Sequence, residues 1–290
     1  MQEIIQLAIN GLANGAVLAL AALGFVIIYK ATGVVNFAQG QFLVIGAYLV
    51  YAGVTTFGLA WPLAVLFAMA AGALLGIGVE RLVLRPLIGE QAVAVIMVTI
   101  GLAALLEAVV QFIWGTTPQA FPSFIPTGTV TLAGAILPVD RLVAIAVAAV
   151  SIAGFWVYFQ RSRNGVAMRA VADDQQAALA MGISVRQVCA RSWALAAMSA
   201  VIGGALVANL LGVSGDLATF GLAVFPVVIL GGLDSIPGTI AGGAVIGLLI
   251  TFTARYVGHG LQSVVPFFVI AIVLLVKPYG LFGQSRIERV

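Results

Sequence analysis

Long apolar runs constrain the fold of this chain more than any other feature of its sequence. Each run holds about 20 mostly apolar residues, the length that an α-helix needs to cross the hydrocarbon core of a bilayer. The runs do not alternate and are too long for the strands of a β-barrel, so their backbone groups must be satisfied within helices. The sequence therefore predicts an all-α, polytopic transmembrane helical bundle of about eight to ten spans, some of them broken or short. We place the spans at residues 4–29, 33–53, 62–84, 91–114, 140–160, 188–211, 218–233, 239–257 and 263–277.

The composition excludes a soluble globular protein. Of the 290 residues, 62% are hydrophobic and 8% are charged, whereas soluble chains carry roughly 25% charged residues. The net charge of +3 is not gathered into the basic patch that nucleic acid requires. The N-terminal sequence MQEIIQL carries no basic residue, so we interpret it as part of a retained first span within a single transmembrane domain over residues 1–290.

The basic residues favour one side of the membrane. Arg81 and Arg85 lie between the third and fourth spans, and a longer basic stretch lies between the fifth and sixth. If these loops face the cytoplasm, the N-terminus lies outside, the C-terminus lies inside, and Arg141 and Arg255 alone lie at the outer ends of spans. The charge-free segment 115–139, which has four prolines, is then an outer loop. The cytoplasmic side would also carry Lys30, Lys277, Arg286 and Arg289.

Residues 161–187 form the one long hydrophilic insert of the chain. Their Ala-rich interior, from about Val166 to Met181, ends at Gly182 and predicts a short helix with a stop signal. Arg169 and Asp173 are four residues apart and can meet on one helix face, although Arg before Asp is the weaker orientation. Two interpretations stay open at this point: an ordinary solvated loop helix, or a helix that docks on a soluble partner through small apolar residues.

Two apolar segments differ from simple spans. The segment 33–53 is short and has Asn36, Gln39, Gly40 and Gln41 near its start. The seventh and eighth spans are bracketed by a Gly- and Pro-rich stretch over residues 231–243. Short hydrophobic segments interrupted by Gly and Pro indicate discontinuous helices around a transport path.

Several spans contain polar side chains within their apolar runs. Asn10 and Asn14 share one face of the first span, and Glu107 lies in the body of the fourth with Gln111 one turn further. An acid in lipid is costly, so we expect Glu107 to face the protein interior or a water cavity. These side chains either line a path for a polar solute or form hydrogen bonds between helices. The candidate path residues are Asn10, Asn14, Asn36, Gln39, Gln41 and Glu107.

No catalytic motif emerges from the sequence. The chain has no GxxxxGK[ST] phosphate-binding loop, no GxSxG and no HExxH. Its one cysteine, Cys189, and its one histidine, His259, form no metal cluster, and we interpret them as a small buried hydrophobe and a headgroup-level residue. The chain is therefore not predicted to be an enzyme, and energy for uphill transport must come from an ion gradient or another polypeptide.

Three regions of the sequence resemble the signature regions of a known family. They are GVVNFAQGQFLVIGAY (33–48), GVAMRAVADDQQAALAMGI (165–183) and GGLDSIPGTIAGG (231–243). Together they resemble bacterial branched-chain amino-acid ABC importer permeases, most closely the shorter H-type subunit of the high-affinity leucine/isoleucine/valine system. The resemblance extends over essentially the whole chain, in order and in spacing.

The resemblance implies an inner-membrane subunit without a cofactor of its own. A second homologous permease, two ATP-binding subunits that hold ATP and Mg, and a periplasmic solute-binding protein would be its partners, with lipid around it. In such importers a cytoplasmic loop helix transmits the motion of the ATPase, which makes residues 161–187 the coupling segment. The residues on the motif positions are Gly165, Arg169, Ala170, Asp173, Ala177 and Gly182, and Asp174 is a further coupling candidate.

One position departs from the family pattern. Family members usually carry His where this chain has Gln39, and Gln cannot titrate near neutral pH. The family also includes permeases for urea and short amides, which form the alternative within the family. Outside it, the alternatives are an ion-coupled secondary carrier, for which Glu107 would be the acid, a passive channel for urea or small amides, and a purely structural membrane scaffold.

Overall fold

The computed structural model describes residues 2–87, 90–125, 128–132, 135–213, 216–258 and 260–283. The sequence predictions for His259, Arg286 and Arg289 lie outside these residues. The described chain is helical throughout, apart from connecting segments and one short β-hairpin, in agreement with the predicted all-α membrane bundle.

The helices follow one another in the order of the predicted spans. Their bounds are α1 Gln2–Thr32, α2 Gln39–Thr55, α3 Trp61–Val79, α4 Ala92–Trp114, α5 Val139–Arg161, α6 Arg163–Asp173, α7 Gln175–Ala180, α8 Val185–Leu211, α9 Asp216–Leu222, α10 Val224–Gly231, α11 Ile236–Tyr256 and α12 Val265–Val276. Helix α3 continues into a π-helical turn, Glu80–Leu84, and a 3₁₀ turn, Arg85–Leu87.

Within the described residues, 6 helices are long and apolar enough to cross a membrane. The other predicted spans contain shorter helices: α2 has 17 residues, and the apolar stretches Phe220–Gly231 and Val265–Val276 are shorter still. Each predicted span therefore contains a helix, and the prediction that some would be broken or short is confirmed. The long apolar helices are Gln2–Thr32, Trp61–Leu87, Val93–Trp114, Val139–Arg161, Val185–Leu211 and Ile236–Tyr256.

The segment 115–139, predicted as a loop, contains a two-stranded antiparallel hairpin. Strand β1 (Thr129–Leu132) pairs with β2 (Ala135–Pro138), and Pro138 pairs with Thr129 across the ladder. A single bridge from Gln119 to Val213 ties the segment to the chain that follows α8. The β-branched residues of TVTL favour a strand, which the proline count alone did not indicate.

Helix α1 lies at the centre of the bundle. Of the most apolar 18-residue stretch of α1, 83% is buried, compared with 28% for α4 and 22% for α5. It packs against α11 through glycines, because a side chain at Gly15 would overlap the Gly243 carbonyl and one at Gly247 would overlap the Gly11 carbonyl. Small residues allow such close backbone approach between membrane helices, where hydrophobic burial cannot drive association.

The two ends of the bundle differ in charge. We call the end that carries α6 and α7 the α6 end, and the end that carries the β-hairpin the hairpin end. Arg141 and Arg255 lie at the hairpin end, where Arg255 pairs with Glu3 at 2.6 Å. The other described basic residues lie at the α6 end: Lys30, Arg81, Arg85, Arg161, Arg163, Arg169, Arg186, Arg191 and Lys277.

Candidate functional site

Helix α2 begins inside the bundle and not at its end. The first residue of α2 is Gln39. Its side-chain Nε2 donates to the carbonyl oxygens of Ala21 and Ala196, both at 3.4 Å, and these residues lie in the middle of α1 and α8. The non-helical segment 33–38 therefore runs from the end of α1 back into the protein. Irregular backbone at such a depth must be satisfied by protein or water, which makes α2 a discontinuous helix of the kind the sequence predicted.

Asn36 and Gln39 satisfy the polar groups of this interruption. The Asn36 Oδ1 accepts from the Ala38 N–H at 3.0 Å, and its Nδ2 donates to the Gln39 Oε1 at 3.5 Å. Both side chains are only 1% exposed. Their hydrogen bonds satisfy the polar groups at the interruption, so both residues have a structural role. Their place on a translocation path stays a prediction.

A second interruption lies between α9 and α10, at Ala223. Pro226 has no N–H, and its ring conflicts with the carbonyl of Leu222, so a continuous helix cannot pass through this point. The Gly- and Pro-rich content of the sequence predicted a break later in the chain, in the stretch 231–243. Residues 232–235 of that stretch form the turn that joins α10 to α11.

The two interruptions meet. A side chain at Gly221 would come within 2.6 Å of the Gly40 Cα, so the backbones of α9 and α2 touch there. The Phe37 ring, which precedes α2, stacks on Phe225 of α10 with centroids 4.8 Å apart. The Phe37 N–H donates to the Thr99 Oγ1 of α4 at 3.4 Å. Helices α2, α4, α9 and α10 therefore converge on a junction of broken helices within the bundle.

A polar group lies close to this junction on the face that α4 presents to the outside. The Gln41 Nε2 donates to the Glu107 Oε2 at 3.5 Å, and the Gln111 Nε2 donates to the Glu107 Oε1 at 3.3 Å. The Gln41 Oε1 is buried and has no hydrogen-bond partner among the described residues. We call these three residues the Glu107 cluster.

The Glu107 side chain is exposed on the single chain and not buried in its interior, which leaves the predicted water cavity, or a partner, as its surroundings. It stands among large apolar side chains of the same helix, including Phe112, which is 91% exposed, and Leu105, which is 61% exposed. A carboxylate costs several kcal/mol against lipid. The α4 face at Glu107 therefore requires either water or another protein against it.

Asn10 and Asn14 lie apart from the Glu107 cluster. The Asn14 Oδ1 accepts from the Arg141 Nη1 at 2.9 Å, and its Nδ2 donates to the Thr251 Oγ1 at 3.4 Å, which links α1, α5 and α11. The Asn10 Oδ1 is buried without a hydrogen-bond partner in the described part of the chain. The structure thus joins Asn36 to Gln39 and Gln41 to Glu107 but does not gather the six predicted path residues in one place.

The hydrophilic insert folds as two helices and not as one. The Ser162 Oγ accepts from the Gly165 N–H at 2.9 Å and caps α6. Asp174 ends α6 and caps α7, since its Oδ1 accepts from the N–H groups of Gln176 and Ala177 at 2.8 and 3.0 Å. Gly182 has φ +80 and follows α7, as its predicted role as a stop signal requires.

Helix α6 is anchored to the end of α5. The Arg169 guanidinium donates to the carbonyl oxygens of Phe159 and Gln160, and Gly165 packs so closely on Phe159 that no side chain would fit. Among the described residues Arg169 forms no ion pair with Asp173, although their spacing would allow one. The last carbonyls of a helix lack partners and carry partial negative charge, so they attract the guanidinium, and Asp173 remains exposed.

The insert presents an exposed surface of mixed character. Among the coupling candidates, Gly165 is buried and Ala170 is half-buried, whereas Asp173, Asp174, Ala177 and Gly182 are exposed. Large apolar side chains accompany them, including two that the sequence analysis did not single out, Leu179 at 57% and Met181 at 82% exposure. We define the coupling surface as Val166, Asp173, Asp174, Ala177, Leu179 and Met181.

The fold and these sites define a multi-pass membrane protein of the permease class. Two interrupted helices meet inside an apolar bundle, beside a carboxylate that lipid cannot accommodate, and one end of the bundle bears a structured polar insert. The chain matches the sequence profile described as "Branched-chain amino acid transport system / permease component" over residues 7–274. It belongs to this family.

Curated relatives agree with that assignment over nearly the full length. The high-affinity branched-chain amino acid transport system permease protein BraD of Pseudomonas aeruginosa is 29% identical over 300 residues, which cover 99% of this chain and 98% of that protein. The corresponding LivH of Escherichia coli is 28% identical and the alignment covers 97% and 96% of the two chains. A probable LivH of Methanocaldococcus jannaschii is 29% identical, with 92% and 88% covered.

A solved structure shares the fold. PsaBC from Streptococcus pneumoniae in complex with Fab superposes with a TM-score of 0.50 over 93% of this chain and 91% of that chain. The sequence identity is 15%, so the likeness concerns the arrangement of the helices alone.

Proposed function

We propose that this chain is a permease subunit of an ATP-driven importer for branched-chain amino acids. The match to the family over residues 7–274 carries this proposal. The names of the relatives support the solute class, and the urea and amide alternative has no counterpart among them. The permease would provide half of the translocation path, with a second homologous permease providing the other half.

We propose that the α6 end faces the cytoplasm of an inner (plasma) membrane. The excess of basic residues at this end supports that orientation, because cytoplasmic loops retain Lys and Arg. The N-terminus then lies outside and the C-terminus lies inside. The hairpin end is left to receive a solute-binding protein.

The energy would reach the bundle through the coupling surface. The sequence carries no P-loop, so ATP and Mg are assigned to two partner subunits. Exposed Leu179 and Met181 offer apolar contacts, and Asp173 and Asp174 offer charge. Since α6 is fixed to α5 by Arg169, a displacement of α6 by the ATPase would be passed directly to a membrane-spanning helix.

The translocation path would run along the face that carries the Glu107 cluster. A second permease against α4 would remove Glu107 from lipid, and the carboxylate and the unpartnered Gln41 Oε1 would offer acceptors to the ammonium group of an amino acid. The adjoining junction of broken helices supplies segments that can change conformation without unwinding a complete span.

The decisive experiment is reconstitution of the complete complex in proteoliposomes. We expect leucine uptake that requires ATP and the binding protein and that persists with an uncoupler. Uptake that ignores ATP but collapses with the uncoupler would establish an ion-coupled carrier instead, and urea flux without any partner would establish a channel.

The coupling surface can be tested separately. Replacing Leu179 and Met181 together by Ser should uncouple uptake from ATP hydrolysis, with the melting temperature unchanged because both side chains point away from the bundle. The matched control replaces Leu66 and Leu74, exposed apolar residues in the body of α3, by Ser. Equal uptake by the coupling variant and the control would contradict the assignment.

A further inference from the structure

A cavity of about 280 Å³ lies at the α6 end between the two turns that follow α3, the start of α4, α7, α8 and the end of α1. This volume is close to the roughly 300 Å³ at which small-molecule sites begin, and far above the ~10–15 Å³ that one water needs. Charged, amide, thiol and indole groups line it: Glu80, Arg85, Glu90, Gln175, Cys189 and Trp193. The cavity is separate from the Glu107 cluster and from the exposed coupling surface.

A local widening of the helix builds the charged pair of this cavity. Glu80 and Arg85 are five residues apart and would diverge on an α-helix, which brings residues three or four apart together. The turn Glu80–Leu84 is π-helical, and its i→i+5 hydrogen bonding aligns the two. Such turns are frequent at functional sites.

The geometry of the pair leaves donors free for a ligand. The Arg85 Nε and Nη2 donate to the Glu80 Oε1 and Oε2 at 3.2 and 2.7 Å. The Glu80 side chain is only 2% exposed, whereas Arg85 retains 33%. The Arg85 Nη1 donates to no group in the described residues. A ligand in the cavity can therefore reach the Arg85 guanidinium, whereas the Glu80 carboxylate is buried behind it.

The lining selects a small zwitterion with an apolar body. Glu80 and Glu90 against Arg85 leave one excess negative charge, which an ammonium group would balance. The Arg85 Nη1 would bind a carboxylate, and Leu84, Val95 and Trp193 give apolar surface for an aliphatic side chain. We propose that this cavity binds a free aliphatic α-amino acid, with its ammonium at Glu90 and its carboxylate at Arg85.

Occupancy of this cavity would restrain the coupling segment. Gln175 is the first residue of α7, while Glu80 and Arg85 extend α3, so one ligand touches both elements. A bound amino acid would hold them together and slow any cycle that moves one against the other. The ligand identity rests on the proposed function, because the solute delivered on this side would belong to the same chemical class. The cavity is then a feedback site for the transported product.

Cys189 provides a direct reporter of occupancy. It is the only cysteine of the chain, it lines the cavity, and its side chain is 7% exposed. Alkylation by iodoacetamide would be followed on the Cys189 peptide by mass spectrometry, in the complete complex held in nanodiscs. We expect saturating L-leucine to slow the reaction by about tenfold. Leucine amide and 4-methylpentanoate each lack one charge and should require roughly tenfold higher concentrations.

Two variants locate the ligand within the cavity. Glu90→Gln and Gln175→Ala should each raise the half-protecting leucine concentration, Glu90→Gln by about tenfold. Glu3→Gln, an acid at the hairpin end, is the matched control and should leave protection unchanged. Protection by 4-methylpentanoate equal to that by leucine, or protection indifferent to Glu90→Gln, would overturn the proposal.

The regulatory consequence is measured by transport from the opposite side. Leucine loaded on the side of the α6 end should reduce ATP-driven uptake, and Glu90→Gln should relieve that reduction. Normal uptake without Cys189 protection would overturn this inference while leaving the proposed function intact. Cys189 protection in a complex that imports no branched-chain amino acid would instead overturn the proposed function.

Discussion

Two pairs of polar residues meet at the start of α2, Asn36 with Gln39 and Gln41 with Glu107 of α4, and they differ in burial and in hydrogen bonding. Asn36 and Gln39 are 1% exposed and satisfy one another and the surrounding backbone. Gln41, only two residues after Gln39, keeps an unpartnered Oε1 and reaches out to an exposed Glu107. The contrast indicates that the first pair stabilises an interruption of the helix, whereas the second pair is left incomplete for something outside the chain.

The largest expected effect tests the junction that the first pair supports. Gly221→Val should prevent stable folding, because its side chain would overlap the backbone of Gly40, and overpacking typically costs about 1–3 kcal/mol or more when backbone must move. The yield of monodisperse protein and its melting temperature would measure this. Gly101→Val, in a place with open space around it, is the control. Equal stability of the two variants would refute the close crossing of α2 and α9.

A smaller loss of stability is expected at Asn36. Asn36→Ala leaves the buried Ala38 N–H without its acceptor, which costs about 1–3 kcal/mol. The melting temperature of the purified complex should fall. Gln111→Ala, at an exposed hydrogen bond of similar length, should leave it unchanged. An unchanged melting temperature in Asn36→Ala would contradict the claim that Asn36 and Gln39 stabilise the interruption before α2.

The second pair should show the reverse behaviour. Glu107→Gln is expected to leave the melting temperature unchanged but to raise the half-saturating leucine concentration for uptake by about tenfold, since a charged hydrogen bond to the solute ammonium is lost. Glu3→Gln, which removes an exposed acid at the hairpin end, is the control. If Glu107→Gln destabilises the complex without changing uptake kinetics, the cluster is an interhelical contact and not part of the path.

The smallest effect is expected at Gln111. Among the described residues its side-chain amide hydrogen-bonds the exposed Glu107 carboxylate, at 3.3 Å. Gln111→Ala should therefore change the half-saturating leucine concentration by no more than about twofold, as for a weak, solvated contact. A tenfold change would extend the solute contact one turn further along α4 and would sharpen the position of the path.

The sequence predicted the spans and the helix end at Gly182 because both depend on local patterns, whereas the division of the insert into α6 and α7 at Asp174 was not predicted. Apolar length defines a span, and Gly182 after an Ala-rich run defines a helix end. Pro226 is a local signal from which the interruption at Ala223 could have been predicted. The prediction was instead placed at 231–243, where Gly and Pro are denser. Local patterns thus located the elements well and their breaks less well.

Partners across the fold could not be predicted from one sequence. The i,i+4 spacing allows a contact between Arg169 and Asp173. Arg169 instead donates to two carbonyl oxygens at the end of α5, which this spacing does not predict. For Glu107 the sequence left two surroundings open, the protein interior or a water cavity, because one helix alone does not show what lies against it. Gln41, its partner, is 66 residues away in sequence, and the bundle leaves their side of α4 uncovered.

The central position of α1 has a consequence for biosynthesis. This helix leaves the ribosome before α11, yet its Asn14 bonds Thr251, 237 residues later, and its Glu3 bonds Arg255. During translation α1 must therefore wait in the bilayer, or beside an insertion chaperone, until α11 arrives. A chain truncated before Ile236 would expose the glycine face of α1 and should be degraded by membrane quality control.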